Sequence, residues 1–347
     1  MQTKTLIIGG GLAGLQLASQ LQAAGQDYHL VEARSRLGGR IKPLSHAGAA
    51  IDLGPSWVWP GQTRVAQRIA DLGLHVFAQW SEGAQLFEHP SGEVARDKGF
   101  MSMAGSYRIA GGSSALTDAI AQGLDPAKIT LNTPVTGLTD RPEAILADGR
   151  RIAAERIVLA VPPRLAAALN VTPALSVKPM LERIPTWMGA HAKFVAVYDK
   201  PFWREAGLSG DASSRRGPMV EIHDASPADG SLGALFGFVG LPAAVRADTR
   251  ETLVPACLAQ LQNLFGADAA QPHVHRLEDW SRAPFTSTAA DATPPPGHPS
   301  YLMPAQARNV WDGKLIFATT EMAPDNGGLI EGALAAADAA AAQIIGA

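Results

Sequence analysis

Glycines, one acid and one lysine are the residues of this chain whose types and spacing suit chemistry. Gly9, Gly11 and Gly14 stand as G-x-G-x-x-G, after the apolar run Thr5-Leu-Ile-Ile8. Apolar residues then recur at Leu12, Leu15, Leu17, Ala18 and Leu21. This is the pattern of a buried parallel strand, a tight turn and a helix packed on a sheet. Such a turn lets backbone approach a pyrophosphate, and the helix start at Leu12 and Ala13 offers it free N–H groups and partial positive charge. Glu32 ends the next strand-like run, eighteen residues after Gly14, where a carboxylate can hold ribose hydroxyls. Without that context the glycines would denote only a tight turn. With it they denote dinucleotide binding. Ala33-Arg34-Ser-Arg36-Leu-Gly38-Gly39-Arg40 follows at once. Gly38 and Gly39 allow a second backbone segment near the phosphates, and Arg36 and Arg40 can neutralise them. A solvated basic turn is the alternative.

Lys193 shares one face of an alternating strand with Val195 and Val197, opposite Phe194, Ala196 and Tyr198. A lysine there is expensive to bury without a partner; a strand-end lysine reaching solvent is the other reading. His273 and His275 alternate in a strand with no third ligand evident, so no metal site is expected. The single cysteine, Cys257, falls in a helix and excludes an internal disulfide.

The elements that must position these groups follow from the pattern. Helices are expected at 62–72, 113–123, 252–265 and from about 328, and strands at 75–79, 85–88, 129–135, 156–163, 232–241 and 314–323. Residues 147–150 read as a hairpin turn, 211–230 as a surface loop and 292–300 as a stiff proline-rich loop. The 347 residues are too many for one simple core. Charged residues make up 18% and apolar residues 46%, with a net charge of −3 and no polybasic block, so nucleic acid and anionic membranes are poor partners. No apolar run reaches membrane-span length, and the first strand begins too early to leave room for a signal peptide, so a cytoplasmic location is expected.

Leu37-Gly-Gly-Arg-Ile41, just past Glu32, resembles the flavin-containing amine oxidase family, and further stretches extend the resemblance over most of the chain. Asp52-Leu-Gly54-Pro55-Ser56-Trp57 matches the family's next flavin-contacting turn; Trp57 and Trp59 also read as two half-buried aromatics after a turn. Arg108 to Leu116 matches a later glycine signature. Val135 stands where the family holds adenine through backbone, a place a core valine also fits. Met188 to Arg204 resembles the strand bearing an active-site lysine, followed by Pro201-Phe-Trp. The resemblance gives Lys193 a water at flavin N5 and makes Trp280 the tryptophan before the substrate cavity. In the closing motif Glu321 contacts the ribityl–phosphate region, and the helix start at Gly328, Leu329 and Ile330 faces the flavin pyrimidine. Thr319 departs from the glycine usual there.

The implied fold is α/β, a Rossmann-like FAD-binding domain (1–70, 104–170 and 308–347) with a discontinuous substrate domain (71–103 and 171–307) built on a mostly antiparallel sheet. The implied reaction removes hydride from the carbon next to an amine nitrogen, giving an imine and, with O2, hydrogen peroxide. FAD is expected to be non-covalent, because no cysteine follows Trp280. The family's aromatic cage positions fall on Ala289 or Ala290 and on Leu329. The helical section that usually follows Trp57 has no room before Gly111. A wider cavity is therefore expected, oriented by Trp280, Leu329, Ala290 and Phe285 or Tyr301, for a small-molecule amine bulkier than a simple arylalkylamine. A related desaturase or isomerase, or a non-catalytic flavin-binding protein, remains the alternative. Oligomeric state is not legible.

Overall fold

The computed structural model describes every residue except Met1, Phe100, Ser102 and Ala347. Its centre is a parallel core of strands Gln2–Ile8, Tyr28–Val31 and Arg151–Leu159. Leu6, Ile7, Leu30, Ile157, Val158 and Leu159 are fully buried there, as expected when both faces of a sheet are covered. Ile129–Thr130 extends one side, and Leu315–Phe317 pairs with the end of Arg151–Leu159. Glu143–Leu146, Val135–Thr139 and Asn170–Thr172 complete eight strands. One face is covered by helix Leu12–Ala23 and the final helix Ile330–Ile345, which pack on each other and place Leu15, Leu17, Leu334 and Ala337 in one core. The other face packs on Ala166, Leu175, Val177 and Leu181.

The second sheet has seven strands in the order Val274–Asp279, Ala192–Tyr198, Gly233–Val239, Met219–Asp224, Leu208–Ser214, Ala84–Glu88 and Val94–Arg96. Only the Leu208–Ser214 and Ala84–Glu88 pair is parallel. The expected surface loop at 211–230 is thus corrected: most of it is a buried hairpin inside this sheet. The expected strand at 129–135 is corrected too. Asn132 takes φ +52°, and the chain splits into two strands at separate places in the first sheet.

Pleating divides the second sheet's side chains. Ala192, Phe194, Ala196 and Tyr198 pack on helix Arg250–Phe265, which contains the buried Cys257. Val195 and Val197 pack the opposite way, with Phe236, against Ile51 and Leu53 of the strand and turn that follow the first sheet's glycine-rich segment. Trp203 locks the end of the Ala192–Tyr198 strand, being fully buried with its indole N–H donating to Asp224 Oδ2 at 2.8 Å. Arg204 Nε donates to the same oxygen at 2.9 Å.

The helix after the first strand sits so close that a Cβ on Gly14 would lie 2.0 Å from Gly9 O. No side-chain rotation relieves a clash with backbone. Gly14→Ala should lower stability by about 3 kcal/mol, read as a reduced urea midpoint at unchanged slope. A midpoint equal to wild type would show that the helix can lift away freely.

Candidate active site

The site begins at the end of the first strand. Helix Leu12–Ala23 starts after Gly11 with neither a side-chain cap nor an acidic residue in its first turn, so its free N–H groups are available to an anion. Gly38 docks on this turn as a bridge to Gly11, and its N–H donates to Gly10 O at 2.9 Å. Glu32 is buried, accepting from Gly10 N at 2.7 Å and Arg34 N at 2.8 Å. Each oxygen keeps a further lone pair for a ribose hydroxyl. Thr133 N–H donates to Glu32 O, tying the segment that leads to Val135 to the strand end. The two arginines of the second clamp differ. Arg36 braces the loop itself, donating to Leu37, Gly39 and Ile41 carbonyls. Arg40 pairs with Glu321, which is 0% exposed.

Thr319 explains its own departure from the family pattern: its hydroxyl donates to Glu321 Oε2 at 2.7 Å and fixes the carboxylate that Arg40 grips. The final helix begins at Ile330 with no side-chain cap at Leu329. Glu331 in its first turn instead accepts from Val65 N at 2.9 Å and Arg64 N at 3.1 Å. A glycine cradle, two uncapped helix starts and a buried arginine–glutamate pair fit an extended dinucleotide such as FAD.

Lys193 reaches from the second sheet to the turn at Gly54–Ser56. It is 2% exposed, and Nζ donates to Ser56 Oγ at 2.6 Å and Gly54 O at 3.1 Å while lying 3.7 Å from the Phe236 ring centre. The solvent-reaching alternative is thereby excluded. Burial pushes the lysine down to about 7, with Arg108 pushing the same way and Asp52 opposing. Neutral, its two N–H groups match these two acceptors and its lone pair is left over; protonated, it has a third donor. Asp52 is buried, its carboxyl raised by burial against the fields of Lys193 and Arg108, with Oδ1 held by Ser113 N at 2.8 Å. Trp280 stands behind the same turn, its indole N–H donating to Leu53 O at 3.1 Å. Gly54 is obligatory here, since a Cβ would lie 1.9 Å from Arg40 O. Pro55 stays partly accessible, as does Trp57, which meets Phe236 at 5.3 Å and Phe238 at 6.2 Å.

The expected cavity residues fare differently. Phe285 is corrected: it is 45% exposed and lies over the Arg34 guanidinium, which also donates to Pro284 O and Thr286 Oγ1. Ala290 is exposed in a short turn, its carbonyl accepting from Arg164. Tyr301 is buried, its hydroxyl donating to Pro185 O at 2.9 Å and its ring against Gly327 and Gly328. Leu329 is half-buried beside it. Trp187 and His298, which sequence reasoning passed over, meet at 4.5 Å with their rings tilted by 59°, near Tyr301 at the start of the final helix. Also missed was the group Asp211, Glu221 and His223, because their segment reads as polar loop. The apolar residues Met219, Val220 and Ile222 beside Glu221 and His223 were the available signal. Among the described residues no group of His, Cys, Asp or Glu could hold a metal, and His273 instead pairs with Asp199.

The family model described as flavin containing amine oxidoreductase matches residues 12–98 and 89–345. Putrescine oxidase of Kocuria rosea is 23% identical, with 100% of this chain and 96% of that protein covered. An L-amino acid dehydrogenase of Synechocystis is 22% identical, covering 98% and 94%. The alignments run to 473 and 452 positions, the excess over 347 residues being gaps in this chain. In fold, a solved putrescine oxidase bound to putrescine superposes with TM-score 0.82 at 21% identity over 100% of both chains. Cyclohexylamine oxidase of Brevibacterium oxydans gives 0.82 at 21% over 99% of both.

A lysine lowered by folding makes the native state bind fewer protons than the unfolded chain between pH about 7 and its ordinary 10.5. Its contribution to stability therefore rises with pH through that window. Lys193→Met should remove this rise, so the melting-temperature difference between wild type and variant should move in favour of wild type from pH 7 to the ordinary lysine range. Parallel curves would show that Lys193 is charged throughout.

Proposed function

The chain belongs to the flavin-containing amine oxidoreductase family, and on that footing we propose that it oxidises a small amine with dioxygen as the electron acceptor. The observation that carries this reading is Lys193, buried against the Gly54–Ser56 turn. FAD, when bound, supplies the two-electron acceptor for the carbon beside the amine nitrogen. The chain's own groups do the rest. The first helix start and the Gly38–Arg40 loop bind the phosphates, and Glu32 the ribose. Arg40 and Glu321 would contact the bound dinucleotide, and the uncapped final helix would favour negative charge at its N-terminal end. Lys193 Nζ, poised near neutrality, holds or hands on a proton at the reacting face. Trp57, Phe236 and Phe238 exclude water and give the amine an aromatic wall.

The division into FAD-binding segments 1–70, 104–170 and 308–347 and a substrate region between them fits this assignment. So does non-covalent FAD, as the sole thiol is buried under the second sheet and burial pushes it up to about 12. Among the described residues no helix is long and apolar enough to cross a membrane; a cytoplasmic site of action accords with the single cysteine. A dehydrogenase that passes electrons to another acceptor is the second reading, favoured by the likeness to the L-amino acid dehydrogenase.

Acid precipitation should leave all yellow colour in the supernatant, and a panel of amines should release peroxide in step with oxygen uptake. Bulky or secondary amines should outperform benzylamine and phenethylamine, because Ala290 and Leu329 supply no cage. Flavin in the pellet, amine-dependent dye reduction without oxygen uptake, or fast benzylamine turnover would each overturn the corresponding part.

A further inference from the structure

A cavity of about 610 Å³ opens beside the turn that joins strands Leu208–Ser214 and Met219–Asp224, and the oxidation of an amine makes no use of it. Its size falls within the range of small-molecule sites, about 300–1,000 Å³. Ser213 lines it and ends a row of paired residues that crosses the sheet from Lys193 through Phe238 and Glu221. Three strand spacings, about 14 Å, separate the Lys193 and Ser213 backbones. Among the described residues neither the Gly54–Ser56 turn nor Trp280 contributes to its walls.

Arg215 and Arg216 both line the cavity, and the described lining residues include no carboxylate. The turn that carries them is held from several sides. Ser214 Oγ accepts from Arg216 N at 3.0 Å and Gly217 N at 2.9 Å. Gln260 packs on Gly217, where a Cβ would lie 2.1 Å from its Cδ, and it bonds Met219 N at 2.9 Å and Met219 O at 2.8 Å. Glu88, buried at the base of the turn, accepts from three neutral donors: Ser214 Oγ at 2.6 Å, Gln260 Nε2 at 3.1 Å and Asn263 Nδ2 at 2.9 Å. Neither guanidinium is drawn inward to match it. Arg216 lies against Gly92 and donates from Nη1 to Pro90 O at 3.3 Å, which leaves most of its fork open. Arg215 is exposed and forms no ion pair among the described residues.

The rest of the cavity is apolar. Phe87 and Leu241 are half-buried in its wall, and Val220 is 45% exposed there. Cations beside an apolar wall suit an anionic group on a hydrocarbon body. The paired N–H groups of a guanidinium match the two oxygens of a carboxylate. Phosphate sites draw in addition on free backbone N–H groups of a nest or a helix start. In this turn the N–H groups of Arg216 and Gly217 are already spent on Ser214 Oγ. We propose that the cavity binds a small organic carboxylate with an apolar body, its head on Arg215 and Arg216, at a site separate from the Lys193 turn. The proposal does not depend on the amine-oxidising reading.

The test is calorimetric titration of the holoenzyme with 4-phenylbutyrate and with 4-phenylbutan-1-ol, which has the same body and no charge. The acid should bind one to one and about tenfold or more tighter than the alcohol. The double variant Arg215→Gln with Arg216→Gln, checked for wild-type flavin content, should lose that advantage. The corresponding double lysine variant should keep part of it, because the charge stays and the fork is lost. Val220→Asp should weaken the acid by a similar factor with both arginines in place. Lys193→Met should bind the acid as wild type does. An acid no tighter than the alcohol, an affinity unmoved by the glutamine substitutions, or one lost in Lys193→Met overturns the assignment. A tenfold tighter affinity for 4-phenylbutyl phosphate overturns the choice of a carboxylate head.

Discussion

Everything near the site depends on one buried amine. Lys193 Nζ reaches from the second sheet to Gly54 O and Ser56 Oγ, which belong to the turn leading away from the dinucleotide cradle. Placing a lysine beyond water is costly unless its donors are matched. Here the match is supplied by the Gly54–Ser56 turn, so the contact fixes the second sheet against that turn. The same turn touches Trp280 through Leu53 O and Arg40 through the space Gly54 leaves open. One short turn thus touches Lys193, Trp280 and Arg40 at once.

Much of this was legible in the sequence where local rules and the global fold agree. The first strand, turn and helix and Glu32 obey strand and helix periodicity and turn chemistry at once. The Lys193 strand was legible because its two faces differ in composition, and both faces are indeed buried. The Leu208–Asp224 hairpin was not. Its strands carry Ser, Asp, Glu and His toward the meeting point of the two sheets, and buried polar residues paired with one another look like solvated loop when the partners are unknown. Phe285 failed for the opposite reason. An aromatic residue near Trp280 suggests a cavity, but at φ +60° the backbone turns it outward onto Arg34.

Thr319 shows how a departure from a family pattern can be locally compensated. The hydroxyl takes the room a glycine would leave and returns a hydrogen bond to Glu321. Because Glu321 is fully enclosed, each of its oxygens requires a partner, and Arg40 and Thr319 supply one apiece. The chain's 347 residues are also fewer than the 473 and 452 positions over which it aligns with its relatives.

The pairing of the first helix with the final one bears on how the chain comes together during synthesis. Residues 12–23 emerge early from the ribosome, yet their apolar stripe is covered by residues 330–345, and Glu331 tethers Arg64 and Val65 in the same layer. Vectorial folding is therefore withheld from this layer: the early helix must wait as a loosely packed element until the distant one arrives, a closure of high contact order. Cofactor capture is expected to be a late event, coupled to the docking of the final helix.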